Sequence, residues 1–342
     1  MSYIYGDQLP VRIGLVGLGN WGTALGNHLA WKGHDVLGWC READVIESVR
    51  TEQRNCRNLS HVQLSANLSA TEELSKVMSC EMLLLAVSAK GLSDVVELMA
   101  KCGGTIAPTT KIVSAIKGLE PGSRLTPLQF LSSKGFLPDN LAVLSGPSFA
   151  RDVIARLPCG VVVASKNEDT AKFVAHIFAS DSMRLYTSVD PLGVELGGIT
   201  KNVIAVAAGA ADGLGLGESA RAGLITRGLS EMTRLAVAMG ADERTLAGLS
   251  GLGDLSMTAT STISRNHQVG FRLGKGETLD EILRSLGSVA EGVATAEVIL
   301  DLAQQYAVEM PITLAVSRVV KERIHPREIL REIMAKPVKS EV

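Results

Sequence analysis

The hydrophobic pattern changes character near residue 190. Before it, from residue 11 to about residue 188, short apolar runs alternate with longer amphipathic ones. VRIGLVG, DVLGWC, EMLLLAV, KIVSAI, LAVLSG and GVVVAS read as strands apolar on both faces, as in a sheet covered by helices on both sides. TALGNHLAWKG and SDVVELMAKCG, lying between strands, read as helices. This alternation predicts βαβ units, right-handed crossovers and a mostly parallel, doubly wound sheet. Beyond residue 190 the strand signal stops. Residues 195–211, 218–239, 279–286, 291–306 and 310–324 carry helical periodicity between glycine clusters such as GLGLG and GLSGLGD. The expected division is an α/β domain over residues 1–190 and an all-α domain over residues 191–342, with loose ends at 1–9 and 336–342.

The first strand runs into a glycine-rich turn. VRIGLVGLGNWGTALGNHLAWKGHDVLGWCRE holds Gly17, Gly19 and Gly22 in GxGxxG spacing between a strand and a helix, and a second strand begins at Asp35. In that context the first glycine makes the tight turn, the second admits a pyrophosphate and the third lets helix and strand touch. The helix N-terminal amides then face the phosphates. The α/β half is therefore expected to be a Rossmann-like dinucleotide-binding domain, with Asn20 and Trp21 covering the pyrophosphate. Trp39-Cys40-Arg41-Glu42, after the second strand, offers both an acid for a ribose 2′-hydroxyl and an arginine for a 2′-phosphate. Arg41 comes first, which leans toward acceptance of NADP; the alternative is a solvated Arg–Glu pair at a helix start.

Two more strands end in suggestive residues. Lys117 follows KIVSAI, and Ser145-Gly146-Pro147-Ser148 closes LAVLSG. Each alone is an ordinary strand exit, but ligands of open α/β sheets sit beyond the carboxyl ends of strands, so together they outline a substrate cleft. In ELGGITKNVIAVAAGAADGLG, Ile199, Val203, Val206 and Ala210 share an apolar face, whereas Lys201 falls on a stripe with Ala205, Ala208 and Asp212. An unpaired buried ammonium is costly, so Lys201 either snorkels to water or meets an anion. GLSGLGDLSMTATSTISRNHQVG adds Asp254 and the triplet Ser264-Arg265-Asn266. A forked arginine beside a hydroxyl and an amide suits a phosphate, and also suits a surface loop. His267 reads as a cleft-rim or surface residue.

Composition narrows the field. With 46% hydrophobic and 20% charged residues the chain is globular, and a net charge of −2 offers no basic excess for nucleic acid. Five cysteines without a CxxC pair suggest neither a disulfide framework nor zinc, only free buried thiols, and no ligand cluster suggests another metal. MSYIYGDQLP lacks the pattern of a signal peptide, and no apolar run reaches the roughly 20 residues of a membrane span, so a cytoplasmic protein is expected.

Across nearly its whole length the sequence resembles the NAD(P)-dependent glycerol-3-phosphate dehydrogenase family of the bacterial type. The resemblance is carried by GLGNWGTALG, VSAIKGLE, LSGPSFA, GVELGGITKNVIAVAAGAADGLGLG, ARAGLITRGLSEM, LAGLSGLGDL, SRNHQVGFRLGKG, VAEGV and MPI. It implies reversible hydride transfer between NADPH or NADH and dihydroxyacetone phosphate, giving sn-glycerol 3-phosphate for glycerophospholipid synthesis. It further implies a homodimer without a metal. By the same resemblance Lys201 transfers the proton, Lys117 touches substrate and cofactor, and Asp254 orients the ammonium. Substrate contacts fall on Lys117, Gly146, Ser148, Lys201, Asp254, Ser264, Arg265 and Asn266. Cofactor contacts fall on Gly17, Gly19, Asn20, Trp21, Gly22, Arg41, Lys117, Ala150, Arg265, Val289 and Glu291. Ser88 stands where the family usually carries Pro, and Ala259 and Thr262-Ile263 replace its usual Cys and Pro-Leu, which bears on loop shape and cofactor preference. The alternatives are a related hydroxyacid or keto-acid reductase, such as a ketopantoate reductase, and a non-catalytic NAD(P)H sensor.

Overall fold

Strands that are apolar at successive positions must bury both faces, and these do. The structure, a computed structural model, describes residues 9–286, 291–335 and 337. The expectations for the chain ends therefore fall, but for Leu9 and Pro337, outside the described residues, as does Val289. Eight strands, β1 (Arg12–Val16), β2 (Asp35–Trp39), β3 (Leu68–Ala70), β4 (Met82–Leu85), β5 (Lys111–Ser114), β6 (Leu141–Ser145), β7 (Cys159–Ala164) and β8 (Met183–Ser188), form one sheet in the order 3-2-1-4-5-6-7-8. Every neighbouring pair is parallel except β6 and β7, which run antiparallel. Met82 and Leu84 enter one core layer while Leu83 and Leu85 enter the other, and Ala142 and Leu144 alternate likewise with Leu141 and Val143. A fully buried leucine in either layer stabilises the fold by about 1.5–3 kcal/mol.

The helices of this half are α1 (Asn20–Trp31), α2 (Ala43–Glu52), α3 (Leu74–Met78), α4 (Ala89–Lys101), α5 (Pro127–Ser133), α6 (Ala150–Ile154) and α7 (Glu168–Phe178). The pattern did not mark β3 or β8. β3 has only three residues, and β8 is an edge strand with only Met183 fully buried. Their identity comes from pairing with β2 and β7, not from local pattern.

The chain divides into two compact units, Met1–Glu195 and Leu196–Val342. The division falls within α8 (Pro191–Gly213). After it come α9 (Glu218–Ala238), α10 (Glu243–Leu246), a π-helical turn at Leu249–Gly253, α11 (Asp254–Thr260), α12 (Arg265–Gly274), α13 (Leu279–Leu286), α14 (Glu291–Gln305), α15 (Pro311–Lys321) and α16 (Pro326–Met334). Periodicity missed α10, α11, α12 and α16, which are short and carry glycines, hydroxyls or charges at positions that would otherwise mark an apolar face.

Helix α8 is the buried helix that its run of Gly, Ala, Val and Ile suggests, and it corrects one expectation. It is buried on nearly every side, with Lys201, Ala205 and Ala208 as enclosed as Ile199 and Val203, so it is not amphipathic. At 23 residues, with a mean hydropathy of 1.2 over its most apolar stretch, it is also long and apolar enough to cross a membrane by length and composition. That stretch is 89% buried inside the protein, which is the setting of a core helix. Its close partner is α12. A Cβ on Gly209 would lie 2.0 Å from the His267 carbonyl oxygen, and one on Gly270 would lie 1.9 Å from that of Val206. A glycine in mid-helix costs about 0.5–1 kcal/mol relative to alanine, and here it lets two backbones touch.

Two buried glutamates tie helix starts to other helices. Glu195 accepts a hydrogen bond from the Leu128 amide at 2.8 Å, at the first turn of α5. Glu231 on α9 accepts from the Ile312 and Thr313 amides at the first turn of α15. Both helices begin with proline, and each carboxylate supplies acceptors that the first-turn amides otherwise lack. Burial pushes the Glu195 carboxyl up to about 7, against hydrogen bonds from Thr126 and Leu128, and burial likewise raises Glu231.

Gly270→Ala forces backbone apart and is expected to cost about 1–3 kcal/mol or more, read as a lower thermal midpoint; an unchanged midpoint would refute the close approach. Because Glu195 holds its proton up to about pH 7 in the fold but loses it near 4.5 when unfolded, the native state binds more protons across that window. Its contribution to stability therefore falls as pH rises from about 4.5 to about 7, by on the order of 3 kcal/mol. Glu195→Gln should flatten that part of the melting-temperature profile, and an identical profile would contradict the assignment.

Candidate active site

At the carboxyl end of β1 the backbone makes the turn that the glycine spacing predicts. Gly17 sits at φ +108°, and a Cβ there would lie 2.7 Å from the Ala86 carbonyl oxygen. A Cβ on Gly22 would lie 1.9 Å from the Gly17 oxygen, so α1 is drawn against the turn. Gly19 has open space beside it and caps α1 without a side chain, leaving the first-turn amides for an outside acceptor. Asn20, the first residue of α1, is exposed. Trp21 is half-buried, and its Nε1 is enclosed with no hydrogen-bond partner among the described residues. An amide-lined helix start, a wall that only glycine fits and an indole donor awaiting an acceptor together fit a dinucleotide pyrophosphate.

The turn opens into a cleft of about 270 Å³ whose lining includes Gly17, Gly19, Arg41, Glu42, Ser88 and Gly91. Arg41 is half-exposed and pairs with Asp94 of α4 at 3.2 Å. The solvated pair weighed from sequence was Arg41 with Glu42; the structure instead pairs Arg41 with a carboxylate from another helix, brought there by the β2–β1–β4 order. Ser88 caps α4, accepting from the Gly91 amide at 3.3 Å.

Lys117 lies three residues beyond the end of β5, not directly after it, and is half-buried. Gly118 follows at φ +156°. Gly146, at φ +147°, would place a Cβ 2.9 Å from the Val161 Cα, and the Ser148 hydroxyl donates to the Gly146 oxygen at 3.1 Å. Ala150 begins α6 and packs on the core. The Ser145 hydroxyl, at the end of β6, is buried without a hydrogen-bond partner among the described residues.

In the helical unit, Lys201 does not snorkel. Its side chain is 5% exposed and forms a salt bridge with Asp254, which is fully buried. The ammonium also donates to Thr258 Oγ1 at 2.8 Å, and the Thr258 hydroxyl donates to the Asp254 carbonyl at 2.6 Å. Glycine makes this meeting possible. A Cβ on Gly197 would lie 2.6 Å from the Ser250 oxygen in the π-helical turn, which delivers Asp254 one residue after it ends. Sequence reasoning missed Thr258, although its place four residues after Asp254, on the same helix face, was a usable signal.

Ser264 caps α12, accepting from the His267 amide at 3.3 Å, and Arg265 is exposed in its first turn. The Asn266 side-chain oxygen accepts from the Gly292 amide at 2.9 Å, and Glu291 accepts from Asn202 at 3.3 Å. His267 is a correction: it is buried, not on a rim, and bonds Asp212 at 2.8 Å. The glycine-mediated approach of α12 to α8 encloses it. Burial would raise the Asp212 carboxyl, but hydrogen bonds from His267 and Arg221 hold it below its ordinary range. Of the expected free buried thiols, Cys56 is exposed, and burial pushes Cys40 up to about 12. Among the described residues no group of His, Cys, Asp and Glu could hold a metal ion.

Two sequence profiles match this chain: the N-terminus of NAD-dependent glycerol-3-phosphate dehydrogenase over residues 12–171, and its C-terminus over residues 190–331. The chain belongs to the NAD-dependent glycerol-3-phosphate dehydrogenase family. It is 44% identical to glycerol-3-phosphate dehydrogenase [NAD(P)+] of Desulfovibrio desulfuricans, covering 98% of this chain and 99% of that one. The Geobacter sulfurreducens protein of the same name is also 44% identical, covering 96% and 98%. The crystal structure of glycerol-3-phosphate dehydrogenase from Coxiella burnetii superposes with a TM-score of 0.90 at 36% identity, covering 96% and 99%. As a member of the glycerol-3-phosphate dehydrogenase family the protein is an NAD(P)-dependent oxidoreductase acting on a CH–OH group. The keto-acid reductase and sensor readings are not favoured.

The ion pair yields a prediction in stability. Lys201→Met leaves a carboxylate buried without its cation and should cost about 3–5 kcal/mol. Lys201→Met with Asp254→Leu should recover part of that loss in denaturant titrations, whereas strictly additive losses would show that the two side chains are not coupled.

Proposed function

We propose that this protein interconverts dihydroxyacetone phosphate and sn-glycerol 3-phosphate, with Lys201 carrying the proton. The observation that supports this most directly is the enclosed Lys201 ammonium held by Asp254 and Thr258. When bound, the reduced nicotinamide supplies the hydride that reduces the ketone carbon. Negative charge then grows on the ketone oxygen, and Lys201 stabilises it and delivers a proton, so that one hydride and one proton make the alcohol. Asp254 and Thr258 fix the direction in which the ammonium is held. In the reverse direction neutral Lys201 takes the proton back.

Phosphate recognition is assigned to the start of α12. Ser264, Arg265 and Asn266 stand there beside first-turn amides, and each charged hydrogen bond contributes roughly 1.5–3 kcal/mol. The Asn266 oxygen is engaged by Gly292, so its NH₂ is the group that can serve a phosphate. Lys117, Gly146 and Ser148 are assigned to the substrate. Gly17, Gly19, Asn20, Trp21, Gly22, Arg41, Lys117, Ala150, Arg265 and Glu291 are assigned to the cofactor. Residues 1–190 serve mainly the dinucleotide and residues 191–342 mainly the substrate. Family resemblance supports a cytoplasmic homodimer supplying glycerophospholipid synthesis.

The test is a spectrophotometric assay with dihydroxyacetone phosphate and NADPH or NADH. Lys201→Arg keeps the charge and the pairing but does not release its proton, so kcat should fall by about 10²–10⁴ while fold and cofactor affinity persist. Near-normal turnover in that variant would remove Lys201 from its role.

A further inference from the structure

Arg41 and Glu42 stand at the end of β2, where a doubly wound fold meets the adenosine ribose of a bound dinucleotide, and both line the cleft described above. Arg41 suits a 2′-phosphate and Glu42 a 2′-hydroxyl, so these two leave the choice between cofactors open. A third residue enters only in three dimensions. Asp94, on the second turn of α4, sends its carboxylate to the Arg41 guanidinium at 3.2 Å. Its neighbours on that helix, Gly91 and Val95, line the same cleft.

We propose that Asp94 is a specificity-determining residue: by pairing with Arg41 at the cleft mouth it weakens binding of a 2′-phosphorylated dinucleotide and leaves binding of the unphosphorylated one nearly unchanged. The inference rests on the reading that this cleft takes the adenosine half of the cofactor. A 2′-phosphate carries about −1.5 to −2 charges, and to reach Arg41 it must approach a carboxylate that already occupies part of the guanidinium fork. The like-charge repulsion and the shared donor both act against NADP. A neutral ribose 2′-hydroxyl meets neither cost, and Glu42 remains as its acceptor. Asp94 has little structural work to do in this position. The pair is 54% and 63% exposed, and exposed pairs stabilise a fold by only about 0–1 kcal/mol, so removing the carboxylate spares the fold.

Calorimetric binding to the full-length protein, without substrate, separates the possibilities. The probes are 2′,5′-ADP against ADP, and NADPH against NADH, on the natural protein and on Asp94→Asn, Arg41→Ala and the double variant. Asp94→Asn should tighten 2′,5′-ADP and NADPH by about five- to tenfold at low ionic strength, with the gain shrinking in high salt. ADP and NADH should stay within about twofold, and the gain should vanish once Arg41 is alanine. Unchanged 2′,5′-ADP affinity in Asp94→Asn, an equal gain for ADP, or a gain that survives Arg41→Ala would each overturn the proposal. If the natural protein binds none of the four probes, the cofactor reading of the cleft fails first, and the role of Asp94 fails with it.

Discussion

The ion pair between Lys201 and Asp254 is the constraint around which the helical unit is organised. Neither charge tolerates this degree of burial alone, so the two segments that carry them must be held together. Gly197 lets α8 meet the π-helical turn, and the turn ends where Asp254 begins. Thr258 closes the arrangement by bonding both the ammonium and the Asp254 backbone. A π-turn is a costly local geometry that recurs at functional sites, and here its effect is to aim one carboxylate.

The same logic recurs away from the lysine. Glu195 and Glu231 are buried carboxyls whose acceptors serve the first turns of helices that begin with proline. His267, Asp212 and Arg221 form a partly enclosed trio at the far end of α8. In each case a buried polar side chain is satisfied by an element distant in sequence, so these groups specify which helices meet as well as contributing to stability. The blocks that carry the family resemblance contain several of these connectors, Glu195, Glu231 and the MPI start of α15 among them.

In the sheet unit, the order of strands gathers the loops after β1, β2 and β4 at one edge. Gly17 and Gly22 shape the wall, Trp21 supplies a donor that has no partner among the described residues, and Arg41 pairs with Asp94 beside the cleft. Backbone amides, an indole and a guanidinium paired with a carboxylate thus come together at that edge, donors drawn from segments far apart in sequence.

Six strands, the glycine turn and the longer helices were legible in the sequence because each is written in local periodicity or in residues that only one backbone shape accommodates. Lys201 was legible as an anomaly, a charge in an apolar run, and the family resemblance gave it a role. The same resemblance named Asp254 as the residue that orients it, but spacing alone could not, since 53 residues separate the two and the contact of α8 with the π-turn joins them. Thr258, the burial of His267 and the pairing of Arg41 with Asp94 share that origin. β3 and β8 were missed because short edge strands are defined by their neighbours. Local pattern fixes what a segment can become. Which buried charges neutralise one another is decided only when backbones close to within contact, and that decision belongs to the tertiary structure.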